Sequence, residues 1–531
     1  MTASDAPWWR SATLYQIYPR SYQDANGDGV GDLDGIRSRL DHLQWLGVDA
    51  VWLSPIFPSP MADFGYDVAD YTGVDPLFGD LDAFDRLLAA CHERGLRLLL
   101  DLVPNHSSDQ HPWFQEARSS RDSPKRDWYL WADPGPDGGP PNNWLSVFGG
   151  SAWEWDEATG QYYYHAFLKE QPDLNWRNPE VQEAIFDAMR FWFERGVDGF
   201  RIDVLWHIVK DERLRDNPLN PDFEEGQNPY DRLAPVFSTD QPEVHDLAAR
   251  MREIADGYGD RLLIGEIYLP IEQLVAYYGQ DEPGVHLPFN FQLITLPWDA
   301  REIDRAVRTY EGALPEDAWP NWVLSNHDQS RIASRAGADG AKAAALLLLT
   351  LRGTPTLYYG DELGLEDVPV PPDEMRDPQG LRLGHRFSRD PSRTPMPWDA
   401  SEHGGFTEAE PWLPLNDDLH ARSVAAERDD PGSVLHFYRR LLALRRERRA
   451  LSLGHYTPLP AEGDALGYLR TWEGETLLVG LNLGGSETEI DLQGRAGRVL
   501  LGTEADREGE PVGGALRLGP HEAVVVEVQT P

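Results

Sequence analysis

The chain holds a single cysteine, Cys91, which excludes an internal disulfide and any multi-cysteine metal centre. Cys91 stands in L-L-A-A-C-H-E-R, a helical pattern in which it reads as a small buried apolar residue. Lysine is almost absent: Lys125, Lys169, Lys210 and Lys342 are all there is, so arginine carries the positive charge. Even so, 48 basic residues face 89 acidic ones, and the net charge of −41 is broken by no basic stripe. Nucleic acid and anionic membrane are therefore poor partners, and a neutral small molecule is a better one. Long apolar runs are also missing. The longest, Ala343 to Leu349, is far too short to cross a bilayer. The amino end, M-T-A-S-D-A-P-W-W-R, has no basic segment followed by an apolar one, so the expectation is a cytoplasmic protein without a secretory signal, working as a monomer or small homo-oligomer.

What the chain does have is material for a large core: 41% hydrophobic residues, 11% aromatic, over 531 positions. Short β-branched or aromatic runs ending in polar clusters alternate with helical periodicity, the pattern of a parallel α/β fold. Eight such runs can be counted: T-L-Y-Q-I-Y-P, A-V-W-L-S-P, L-R-L-L-L-D-L-V-P-N-H, V-D-G-F-R-I-D-V, R-L-L-I-G-E-I-Y, L-P-F-N-F-Q-L, W-V-L-S-N-H-D and T-P-T-L-Y-Y-G-D-E. They predict a (β/α)8 TIM barrel over residues 1–103 and 174–451. The alternation stops at 104–173, a loop-rich inserted subdomain expected to form a pocket wall. Residues 452–531 change to short alternating segments and Gly turns, predicting a C-terminal antiparallel β-sandwich domain.

In such a barrel the polar residues at the C-terminal strand ends form the active site. Arg201 and Asp203 lie two apart on the fourth strand, so their side chains share a face. A neighbouring guanidinium favours an ionised carboxylate, which suits Asp203 as a nucleophile. Glu266 follows the apolar run L-L-I-G, and apolar surroundings favour the protonated form, which suits a general acid. Two carboxyl groups held apart in pKa are what glycosidic-bond cleavage needs, and Asp328 adds a third. Singly, each has the alternative of a barrel-lining ion pair or a helix cap. Three at successive strand ends, with His106 and His327, form a constellation.

These residues lie in D-L-V-P-N-H (101–106), G-F-R-I-D (199–203), G-E-I-Y (265–268), S-N-H-D (325–328), Q-P-D-L-N-W (171–176) and R-D-P-S-R-T-P-M-P-W-D (389–399). With them the chain resembles the α-amylase superfamily, in particular its α-glucosidase and oligo-1,6-glucosidase branch. The resemblance implies a retaining, exo-acting α-glucosidase that takes glucose from the non-reducing end of short α-glucosides. It makes Asp203 the nucleophile, Glu266 the acid/base and Asp328 the transition-state stabiliser. It implies that His106, Arg201 and His327 hold the innermost sugar, that Asp63 hydrogen-bonds it and that Tyr66 stacks beneath its ring. Arg389 would close the pocket, with Arg393 as a substitute, and Gln171, Phe148 and Phe167 fall at the rim; for the two phenylalanines, simple packing is the other reading. In similar enzymes a valine such as Val204 after the nucleophile accompanies α-1,6 activity. Glucosyl-transferring or isomerising relatives, such as trehalose synthase, sucrose isomerase or sucrose hydrolase, carry the same carboxylates and are the alternative.

A further motif, D-A-N-G-D-G-V-G-D at 24–32, places Asp24, Asn26, Asp28, the Val30 carbonyl and Asp32 at alternate positions. That is the start of an EF-hand loop, but the twelfth position is Gly35 and flanking helices are missing. A structural hard-cation site remains, Ca²⁺ ahead of Mg²⁺, and the resemblance implies calcium there too. A solvated acidic turn is the alternative.

Overall fold

Residues 6–279 and 282–528 are described by a computed structural model. Eight short strands close into a barrel: β1 (Leu14–Ile17), β2 (Ala50–Leu53), β3 (Arg97–Leu102), β4 (Gly199–Ile202), β5 (Leu262–Ile267), β6 (Leu287–Asn290), β7 (Asn321–Val323) and β8 (Thr354–Tyr358). Each pairs in parallel with the next, and β8 returns to β1. All eight runs read from the sequence are strands of this barrel. Strands buried on both faces read as near-continuous apolar text, which is why they were countable.

Helices cover the outside. Helix α1 (Leu81–Glu93) starts where Asp80 accepts the Ala83 N–H and buries Phe84, Leu87, Leu88 and Cys91. Burial pushes the Cys91 thiol up to about 12, so it is an inert core residue. Helix α2 (Pro179–Arg195) has Asn178 as its cap, Pro179 in its first turn and Gly196 at φ 107° after its end. Val181, Ile185, Met189 and Trp192 repeat along its buried face. The apolar run near 343–349 is α3 (Ala341–Thr350), buried at nine of its ten residues because it packs between α4 (Val434–Glu447) and the C-terminal sheet. No helix among the described residues is long and apolar enough to cross a membrane.

Two excursions leave the barrel near its C-terminal mouth. The first carries a three-stranded antiparallel sheet, Trp131–Ala132, Gln161–Tyr164 and Trp153–Asp156, and bridges at His106–Asp173 and Tyr129–Leu174 draw its two ends together. The second, 204–242, follows β4 and arches over the mouth. At the C-terminus β9 (His455–Pro458), β10 (Ala465–Trp472), β11 (Glu475–Asn482), β12 (Thr488–Gly502), β13 (Pro511–Leu518) and β14 (Ala523–Val528) form one sheet in the order β9-β10-β11-β14-β12-β13. Its six strands form one hydrogen-bonded antiparallel sheet whose two halves pack on a shared core. Register shifts in the long β12 bend it, so that Leu516 and Ile490 reach over Gly480, where a Cβ would come within 2.6 Å of Leu516.

Candidate active site

A cavity of ≈ 690 Å³ opens at the C-terminal mouth of the barrel, lined by Asp203, Glu266 and Asp328 among others. Its floor is organised by Arg201, which is fully buried and lies in register beside Asp101 of β3. One η nitrogen donates to Asp101 (2.8 Å) and to Asp203 (2.6 Å), and the other reaches Glu266 (2.8 Å). The reading that Arg201 sets Asp203 apart from Glu266 is therefore corrected: the guanidinium sits on both. Glu266 gains one further donor, the Val204 N–H at 2.8 Å. Val204 holds a left-handed backbone, φ 37°, a strained state for a β-branched residue that aims this amide at Glu266.

Burial is the largest influence on both carboxyls and raises both above the ordinary range, with Arg201 opposing. Both carboxyls also bond the same Arg201 guanidinium, so their titrations are linked. Asp328 behaves oppositely. Burial alone would raise it, but His327, Arg389, Arg393 and Arg201 hold it well below the usual carboxylate range, with Arg393 at 3.0 Å and Arg389 at 3.2 Å. The site thus sets two carboxyls whose proton affinity is raised against a third whose proton affinity is lowered.

Around these groups the anticipated residues divide into wall and support. Asp63, Tyr66, His106, Phe148, Phe167, Gln171 and Arg389 line the cavity. Arg201 and His327 lie beneath it. Burial lowers both His106 and His327 to about 3, so each acts as a neutral hydrogen-bonding group. His327 links Gln16 (2.8 Å) to the Tyr66 hydroxyl (2.6 Å), and Tyr66 donates on to Asp101 (3.1 Å). His106 contacts the Tyr66 carbonyl and Gln171, each at 3.1 Å. At the closed end Arg389 donates to Asp63 (2.7 Å) and is braced by Asp377 at 2.7 and 3.0 Å. Arg393 lies below this wall and bonds the His327 carbonyl, so of the two arginines it is Arg389 that lines the cavity. Phe148 lies under the Arg389 guanidinium at 5.0 Å and edge-on to Phe167, so its packing and its place in the wall are one arrangement.

Five further participants are not singled out by the sequence motifs. Asp101 stood in a recognised motif, and its in-register position beside Arg201 was the usable signal. Asp377 and the arch residues Trp206 and Tyr230 lie in irregular segments with no local pattern. Lys210, buried and paired with Asp173, joins the arch to the inserted segment and donates to Asn105 at 2.7 Å, next to His106.

The 24–32 loop does not assemble a metal centre by side-chain convergence: among the described residues no three His, Cys, Asp or Glu side chains are grouped to hold an ion. Asp24 accepts N–H groups from Asn26, Gly27 and Gly29, Asn26 one from Asp28, Asp28 one from Val30, and Asp32 those of Ala25, Asn26 and Gly35. The donor set is all oxygen, the chemistry a hard cation takes. The loop also clamps a distant segment: Thr407 donates to Asp24 at 2.6 Å, Trp412 N–H to the Gly29 carbonyl, and a Cβ on Gly29 would meet the Glu410 carbonyl at 2.1 Å.

Comparison with known proteins agrees with this geometry. The α-amylase catalytic-domain model matches residues 16–454. The chain is 45% identical to a probable alpha-glucosidase of Rhizobium meliloti over 90% of each chain, and 39% identical to an oligo-1,6-glucosidase of Halalkalibacterium halodurans over 98% of each. Among solved structures it is similar to the alpha-glucosyl transfer enzyme XgtA (TM-score 0.94, 43% identity, 99% of this chain and 100% of that one). It is also similar to the trehalulose synthase MutB of Pseudomonas mesoacidophila (TM-score 0.91, 36% identity, 99% and 100%). The chain belongs to the α-amylase family of glycoside hydrolases.

Proposed function

We propose that the protein is a retaining, exo-acting α-glucosidase for short α-glucosides. The observation that carries this reading is the pair of carboxyls, Asp203 and Glu266, buried and held together by one guanidinium, within a pocket closed at one end by Asp63 and Arg389. Short carboxyl spacing goes with double displacement, whereas inversion needs room for a water between the groups. A terminal glucose fits against the closed end, and the middle of a polymer does not. Asp203 attacks C1 while Glu266 gives its proton to the leaving oxygen. Glu266 then takes a proton from water as the glucosyl ester is hydrolysed. Asp328, kept ionised, stabilises the positive charge that develops at the ring.

The aglycone side favours a second, lesser outcome. Val204, Trp206, Leu233, Pro235 and Tyr268 give that half of the cavity an apolar lining, and relatives of known structure include an alpha-glucosyl transfer enzyme and a trehalulose synthase by name. Such a lining lets a second sugar compete with water for the glucosyl ester. We also assign a structural hard cation, Ca²⁺ ahead of Mg²⁺, to the oxygen donors of Asp24, Asn26, Asp28, Val30 and Asp32, where it would fasten the clamp on 406–412.

Incubation with maltose, isomaltose, trehalose and sucrose tests the main reading. Free glucose as the principal product from at least one disaccharide supports hydrolysis. Conversion that conserves the number of disaccharides identifies an isomerase instead.

A further inference from the structure

A second cavity lies at the opposite end of the barrel from the carboxylates. It occupies ≈ 220 Å³ beside Thr13 and Asp49, which immediately precede β1 and β2, and is walled by Arg445, Arg446, Arg449 and Ser452. Three guanidinium groups there face one carboxylate, and that carboxylate is already engaged: Asp49 accepts the Thr13 N–H (2.8 Å) and Arg446 (3.0 Å). Arg449 forms no ion pair among the described residues. Two buried polar atoms in the wall also lack hydrogen-bond partners, the Ser452 hydroxyl and the Arg445 Nε, in residues only 2% exposed. The η nitrogens of Arg445 bond the carbonyls of Leu349, Leu451 and Gly353, and Nε is its one nitrogen without a partner.

Arginines at a helix C-terminus complement the helix dipole, and that accounts for Arg445 and Arg446 at the end of α4. It does not account for Arg449 or for a buried hydroxyl without a partner, since buried polar groups are almost always satisfied. In a chain of net charge −41 a diffuse attraction for anions is also excluded. We infer that this cavity binds a phosphate-type oxyanion, either inorganic phosphate or the phosphate group of a small phosphorylated sugar. Ser452 O–H and Arg445 Nε–H donate to it from the buried side, and Arg446 and Arg449 balance its charge from the open side. Bound there, it ties the entrances of β1 and β2 to the helix that carries the C-terminal sheet.

The test uses the full chain and its Arg449→Ala and Ser452→Ala variants, with sodium phosphate or glucose 6-phosphate titrated against sodium chloride at equal ionic strength. Phosphate is expected to raise Tm saturably, by about 1–3 °C beyond chloride. Calorimetric affinity should fall about tenfold or more in Arg449→Ala, while kcat/KM on glucosides stays unchanged. Tighter binding of glucose 6-phosphate than of phosphate, lost in Arg449→Ala, identifies a sugar phosphate as the occupant; equal or weaker binding identifies inorganic phosphate. No saturable shift beyond chloride, or one that survives intact in both variants, overturns the inference.

Discussion

Arg389 and Asp63, 326 residues apart in the chain, meet in a 2.7 Å ion pair that closes the inner end of the sugar pocket. Replacing Arg389 by Ala removes that wall and leaves Asp63 buried without its main counter-charge. We expect kcat/KM on disaccharides to fall on the order of 10²-fold, with relatively more activity retained on longer chains. A variant with unchanged selectivity between maltose and maltoheptaose contradicts this.

Glu266→Gln removes the proton donor but keeps the side chain's shape and its ability to accept the Val204 N–H. The loss should be about 10²–10⁴-fold on disaccharides and much smaller on glucosyl fluoride, whose leaving group needs no protonation. Equal losses on both substrates count against Glu266 as the acid.

Activity should show a bell-shaped pH profile, because double displacement needs Asp203 ionised and Glu266 protonated. Burial raises both groups, and the negative Asp328 raises Glu266 further. Asp328→Asn removes that repulsion, so the alkaline limb of kcat/KM should move to lower pH in the residual activity. A limb that stays in place or moves to higher pH is the contrary result.

Val204 places a branched side chain at the aglycone side directly after Asp203 while its amide serves Glu266. Val204→Thr keeps the branch at Cβ but changes its chemistry, and should lower the ratio of isomaltose to maltose activity severalfold. Val204→Pro deletes the N–H and cannot adopt φ 37°, so it should lose activity on both linkages.

Stability carries its own pH signature at Glu427. Burial, with Glu362 assisting and the Leu435 N–H opposing, pushes this carboxyl up to about 8 from 4.5. Between those values the folded chain holds a proton that the unfolded chain has released. Stability therefore falls as pH rises through that window, by at most about 1.4 kcal/mol per unit. Glu427→Gln, which can still accept the Leu435 N–H, should flatten the decline of Tm between about pH 5 and pH 8.5. Parallel curves for variant and parent would sink this assignment.

Much of this was legible in the sequence because a barrel strand buried on both faces writes its own apolar run, and its polar end marks the active mouth. Asp203, Glu266 and Asp328 could be found that way. What the sequence hid depended on contacts across long separations: the second bond of Arg201 to Glu266, the bracing of Arg389 by Asp377, and the fastening of Asp24 to Thr407, 383 residues on. None leaves a periodic trace: Arg201 and Glu266 meet across neighbouring strands, and the other partners lie in irregular segments. If a cation completes the 24–32 clamp, chelation lowers Tm; an unchanged Tm and activity remove it from the account.

The most direct measurement is trapping the glucosyl-enzyme with 5-fluoro-α-glucosyl fluoride, followed by peptide mass spectrometry. The ring fluorine slows both formation and hydrolysis of the ester, and the good leaving group offsets the slowing of formation alone, so an intermediate accumulates if one exists. The account predicts a single fluoroglucosyl adduct on Asp203, absent from Asp203→Ala. An adduct on Glu266 or elsewhere, or inactivation without any covalent adduct, would contradict it.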